Sequence, residues 1–163
     1  MGTARDTQRS KVYAWEGTFT DRFTSTVSQP SATKLVRQMY GWHTTANISK
    51  DWGAPSVIFN ARGVRSWASY GNTKIKLLTP YAPASKDVHL WDVAHEVAHC
   101  LTPNRACSKT GGVHGKLFMR HFIEILIRFK VVDMSLSELE ASAKAAGVKV
   151  APRTRSLRVK RNR

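Results

Sequence analysis

The chain is short of cysteine, of acidic residues and of long apolar runs, and each shortage excludes something. Two cysteines, Cys100 and Cys107, in 163 residues make no disulfide framework. Both are expected to be free thiols in a reducing compartment. No apolar run approaches the roughly 18 residues that a membrane span needs. The segment MGTARDTQRSKVYAWEG lacks the apolar stretch of a secretory leader. Asp6 stands where a myristoylation signal wants Ser or Thr. These absences predict a cytoplasmic protein with no membrane partner. Only 11 acids face 26 Lys and Arg, for a net charge of +15. A field of that sign attracts phosphate backbones, so DNA or RNA contact is the partner class it suggests. No acidic cluster suits a pair of Mg²⁺ ions, which argues against a nuclease.

What is present suffices for a folded domain. Hydrophobic residues make up 42% of the chain, and its length allows a core without staples. One domain is expected over residues 1–150. The segment APRTRSLRVKRNR (151–163) has six Lys and Arg and no acid, and reads as a disordered basic tail. Without those six, +9 remains of the +15. The basic surface and the tail are therefore both candidate nucleic-acid contacts.

Local patterning predicts an α+β chain. KVYAW (11–15) is rich in β-formers and reads as a strand. PSATKLVRQMYG (30–41) reads as a helix capped by Ser31, with Leu35, Val36 and Met39 at helical spacing. Residues 55–80 read as a β-meander, with strands at Val57–Asn60, Val64–Ser69 and Lys74–Leu78 separated by turn signals. A helix is expected over 85–101 with Ser85 or Asp87 as cap, a loop over 102–113, and a long apolar helix over 114–132. A last helix is expected over 135–147, capped by Ser135 or Ser137 and stopped by Gly147. Trp67 and Trp91 are the expected core tryptophans. Strands followed by two packed helices are the layout of a small metallopeptidase core.

The chemistry is concentrated in LWDVAHEVAHCLTP. A helix puts His95 and His99, four residues apart, on one face, where both imidazoles can reach one Zn²⁺. Glu96 follows the first histidine and is placed to act as general base towards a water that the metal activates. Val93, Ala94, Val97, Ala98 and Leu101 are small or apolar and suit a buried, dry site. A catalytic zinc needs a third protein ligand and an open fourth position. His114, His121 and Glu124 are the candidates. His114 is favoured, because the TGGV stretch before it can bring the chain back over the first helix and Gly115 lets the backbone come close. His121 has a simpler reading as a core histidine among Phe118, Phe122 and Ile125, and Glu124 as a residue ion-paired near Arg128. Asp92 reads as a surface residue or as a carboxylate orienting a ligand histidine. Cys100 points away from the metal and reads as structural. Arg5, Asp6 and Arg9 read as an ion-paired clasp.

RDTQRSKVYAWE, AHEVAHCLTP and VHGKLF together resemble a family of small zinc metallohydrolases of actinobacteria and their phages. The resemblance runs from Arg5 to about Val150. It implies a minimal zincin-like core, a small antiparallel or mixed sheet packed on the HExxH helix and further helices. It implies His95, His99 and His114 as zinc ligands and Glu96 as catalytic acid/base. The order of the two histidine motifs is also similar to that of SprT-like proteases, which act on proteins crosslinked to DNA.

Two function classes follow. One is a zinc metallohydrolase, most simply a metallopeptidase acting on a protein or peptide, whose substrate strand pairs with a sheet edge near Lys74–Leu78. The other is a basic nucleic-acid-associated or phage structural protein with a non-catalytic zinc. A purely structural zinc wants four protein ligands, which separates the two.

Overall fold

The computed structural model describes residues 6–19, 21–47, 54–60, 66–68, 74–78, 87–102 and 112–153, and in them the chain is α+β. The described elements run α1 (Arg9–Gly17), β1 (Thr26–Ser28), α2 (Gln29–Asn47), β2 (Ser56–Asn60), β3 (Trp67–Ala68), β4 (Lys74–Leu78), β5 (Asp87–His89), α3 (Leu90–Cys100), α4 (Lys116–Arg128) and α5 (Leu136–Ala145). Among the described residues no helix is long and apolar enough to cross a membrane.

Residues 11–15 are helical, not a strand. Val12, Trp15, Glu16 and Phe19 are buried, and their spacing of three, four and seven is the stripe of a helix. The β-propensity of Val, Tyr and Trp loses to that pattern, because packing of a stripe outweighs a weak local preference. Trp15 enters the core, donating from Nε1 to Ser142 Oγ at 3.0 Å. Its ring meets Phe19 and Phe122 edge-on. Trp91 is buried as expected, but Trp67 is 42% exposed.

Residues 55–80 do not form a meander. β2 and β4 pair in parallel, β3 and β4 antiparallel, in the order β2-β4-β3. β4 is thus the central strand of the three, paired by β2 along its length and by β3 at Ile75 and Lys76, so at those two residues neither edge is open to a substrate strand. Residues 61–65 lie outside the described residues, and of the expected strand at 64–69 residues 66–68 are described, with Trp67–Ala68 in a strand. A second, two-stranded sheet pairs β1 with β5 antiparallel, with Val27 opposite Val88.

The helix boundaries shift for local reasons. Ser28, not Ser31, caps α2: its Oγ accepts from the Ser31 backbone N–H at 3.4 Å. Asp87 lies in β5 and His89 precedes α3 with no side-chain cap. The Leu90 N–H is satisfied instead by the Ser25 carbonyl. Ser135 caps α5 through a full capping box with Glu138. Gly147 follows α5 at φ 69°, the left-handed position that glycine adopts without a Cβ penalty.

α3 and α4 are the centre of the fold. α4 buries Phe118, Met119, Phe122, Ile123, Ile125 and Leu126 completely. At ~1.5–3 kcal/mol per large side chain, that burial outweighs the cost of also burying Arg120 and Glu124, which are paired. Arg120 reaches Glu140 at 2.6 Å and Glu124 at 3.7 Å, and donates to the Ala151 carbonyl at 2.7 Å. Ala151 also donates its N–H to Lys116 O, and Arg153 pairs with Glu140 at 2.8 Å. Ala151 therefore packs on α4 and Arg153 is tied to α5, although composition groups both with the tail.

Candidate metal centre

α3 presents its two histidines because its other faces are filled. Trp91, Val93, Ala94, Val97, Ala98 and Cys100 are buried against neighbouring elements. His95 and His99 remain one turn apart, with Nε2 atoms 3.1 Å from each other. His114 arrives from the turn before α4. Gly112 there has φ 98°, a conformation open to glycine, and its carbonyl accepts from the Gly115 N–H at 3.0 Å. The turn brings His114 back over α3. One ring nitrogen each of His95, His99 and His114 lies within 4.8 Å of the other two. Phe118, fully buried, lies beneath all three rings, with centroids 4.4–5.1 Å away.

Carboxylates from the N-terminal segment hold two of the three rings. Glu16 Oε1 lies 2.7 Å from His95 Nδ1 and also accepts from Trp91 Nε1 at 3.0 Å. Asp6 Oδ2 lies 2.7 Å from His114 Nδ1, and Asp6 Oδ1 accepts from the His114 backbone N–H at 3.2 Å. A carboxylate only accepts, so each Nδ1 carries the hydrogen and each Nε2 presents its lone pair inward.

The protonation of the group suits a cation. Burial, then the neighbouring His95 and His114, holds His99 well below the ordinary imidazole range. Burial also lowers His114, by more than its hydrogen bond to Asp6 raises it. Burial works against a charge on His95 as well, but the Glu16 carboxylate beside it raises that group above the ordinary value. His114 Nε2 is buried with no hydrogen-bond partner, and such an orphan is costly unless something fills it. Tetrahedral bonds of ~2.0–2.1 Å would set two nitrogens about 3.3 Å apart, close to the 3.1 Å between His95 and His99. Three converging imidazoles, two of them held neutral by burial and one with an orphaned nitrogen, fit a divalent metal such as zinc.

Glu96 follows His95 on α3, 5% exposed, with Oε2 unpartnered. Burial pushes its carboxyl up to about 7, against the pull of His95. A group poised there can both take and give a proton near neutrality. Tyr13, 41% exposed, stands beside the group, its ring 5.0 Å from that of His114 and 6.3 Å from that of His95.

The other candidates lie elsewhere. His121 Nδ1 is 3.3 Å from Thr102 Oγ1, and Glu124 faces Arg120 rather than Arg128. Asp92 accepts from Ser66 Oγ at 3.3 Å, so the orienting carboxylates are Glu16 and Asp6. Asp6 bonds to His114, Arg9 lies over the Tyr13 ring, and Arg5, the other residue of the expected clasp, lies outside the described residues. Cys100 is buried, its thiol pushed up to about 12, chiefly by burial, and so unreactive. Cys107 lies outside the described residues.

Asp6 and Glu16 were not recognisable as site residues from sequence alone. One signal pointed to Glu16: read as a helix, residues 9–17 place an acid on the buried stripe of Val12, Trp15 and Phe19. No family model, curated protein or solved structure matches this chain, so its functional reading rests on the site's own geometry.

Proposed function

We propose that the chain is a zinc-dependent hydrolase, and within that class a peptidase. The observation that carries this reading is the convergence of His95, His99 and His114, together with the buried, unpartnered carboxylate oxygen of Glu96, the residue that follows His95 on α3. Among the described residues three protein nitrogens converge, which leaves a fourth position for water as catalytic zinc requires, and Glu96 would have no purpose beside a structural ion. Zinc held there would supply Lewis acidity toward a carbonyl and make a water acidic near pH ~7. Glu96 would take the proton of the attacking water and hand it to the leaving amine. His95, His99 and His114 would hold the ion, with Phe118 keeping water from beneath it. The α3–α4 pair beside the three-stranded sheet is consistent with a minimal zincin-like core. The resemblance to small actinobacterial and phage metallohydrolases points the same way.

The second reading, a nucleic-acid-associated protein, draws on one feature. Lys116, Arg120, Lys144, Lys149 and Arg153 line an open groove of about 790 Å³, with Glu140 as the acid among them. The two readings are compatible if the substrate is a protein bound to DNA.

Metal analysis is the first test. One zinc per chain is expected, lost on changing His95, His99 or His114 to Ala. Cleavage of unstructured protein, with and without DNA, is the second. Glu96→Gln is expected to keep the zinc and the fold while losing ~10²–10⁴-fold in rate. Equal cleavage by parent and Glu96→Gln rules the mechanism out.

A further inference from the structure

The hydrogen bonds that hold His114 come from one short stretch of chain. Asp6 grips its ring Nδ1 and its backbone N–H. Gln8, 6% exposed, donates from Nε2 to its carbonyl at 2.8 Å. Two turns along α1, Glu16 grips His95. We propose that Asp6 and Glu16 are positioning residues of the metal centre, so that metal binding and the docking of residues 6–16 support each other. This rests on the metal-binding part of the reading above and not on catalysis.

Three observations support it. Each carboxylate selects the tautomer that turns Nε2 toward the other rings, and makes that nitrogen more basic. Both acids are largely withdrawn from solvent, with side chains 20% and 10% exposed, so the ring–carboxylate bond is little weakened by water. Docking of the segment also has anchors that do not involve the rings. Val12 and Trp15 are in the core. Gln8 accepts from the Lys149 N–H at 2.9 Å and donates to the Lys149 carbonyl at 3.1 Å. Removing one carboxylate charge therefore acts on the histidines and leaves the helix attached. Linkage makes the effect reciprocal: whatever the docked segment adds to metal affinity, the metal adds to docking.

The test is zinc affinity, measured by competition with a chelator, on Asp6→Asn and Glu16→Gln in the full chain. Both substitutions keep an oxygen that accepts a hydrogen bond; Gln at 16 can still accept from Trp91. Each is expected to weaken zinc binding ~10–100-fold, with the metal-free Tm close to that of the parent. A merely structural role would lower the metal-free Tm and leave the affinity of the folded protein unchanged. Hydrogen exchange on the parent gives a second reading that needs no variant. Amides of α1 are expected to exchange more slowly with zinc than without. Parental zinc affinity in both variants, or α1 exchange indifferent to zinc, overturns the proposal. A parent that binds zinc but cleaves nothing removes the hydrolase reading and leaves this one intact. A parent that binds no zinc overturns both.

Discussion

At the scale of residues, the difference between what could and could not be read lies in distance along the chain. His95, Glu96 and His99 need only a helix to come together, and a helix is a local structure. His114 needs a turn, and the glycines before it signalled one. Asp6 and Glu16 meet their histidines across 108 and 79 residues. No periodicity reports a contact of that separation. Glu124 shows a further consequence of burial at this scale. Desolvation raises its carboxyl from an ordinary 4.5 to about 7, against the pull of Arg120. A carboxyl raised on folding contributes stability that is full below its unfolded pKa and is lost as pH rises through the folded one. Its contribution should fall between about pH 4.5 and pH 7. In chemical denaturation across that range, Glu124→Gln should flatten this part of the pH dependence. A parent and variant with parallel profiles would contradict the assignment.

At the scale of elements, helices were easier to read than strands. α2, α3, α4 and α5 all lie where 3.6-residue periodicity puts them, with ends moved by a few residues. α5 is the clearest, since SLSEL spells its own capping box. Ser135→Ala should cost ~1 kcal/mol of unfolding free energy, measurable by urea denaturation. Ser137→Ala, a residue past the cap, should cost little. The strands were found, but their partners were not. Alternation says which face is buried, not which strand lies next door. The parallel pairing of β2 with β4 needs a crossover that leaves no mark in either strand. α1 failed differently: three β-forming side chains within KVYAW masked a helical stripe that extends to Phe19.

At the scale of the whole molecule, charge was legible and its division was not. The composition separates residues 151–163, but Ala151 and Arg153 are bonded to α4 and α5. Residues 154–163 lie outside the described residues and carry five Lys and Arg, at 155, 158, 160, 161 and 163. Removing 154–163 should leave Tm and zinc content unchanged while weakening DNA binding. The slope of log affinity against log salt should shrink by ~0.9 for each phosphate the tail had neutralised. Removing 151–163 instead should also lower Tm, because it strips partners from Arg120 and Glu140. Equal Tm for the two truncations would show the bonds made by 151–153 to be dispensable.

Gln8 bonds to both His114 and Lys149, and Lys149 lies 141 residues further along the chain. This sets an order in time as well as in space. At ~5–20 residues per second, the ribosome needs roughly 7–28 seconds to add Lys149 after Gln8. Throughout that interval Gln8 and Trp15 wait for partners from the last part of the chain. The histidine pair of α3 can emerge and meet metal ions before its third partner is in place, and before α1 has the surface on which it docks. Metal captured then would be held by two imidazoles, weakly and exchangeably, and the closing of the two ends of the chain over it would be the step that makes it stay.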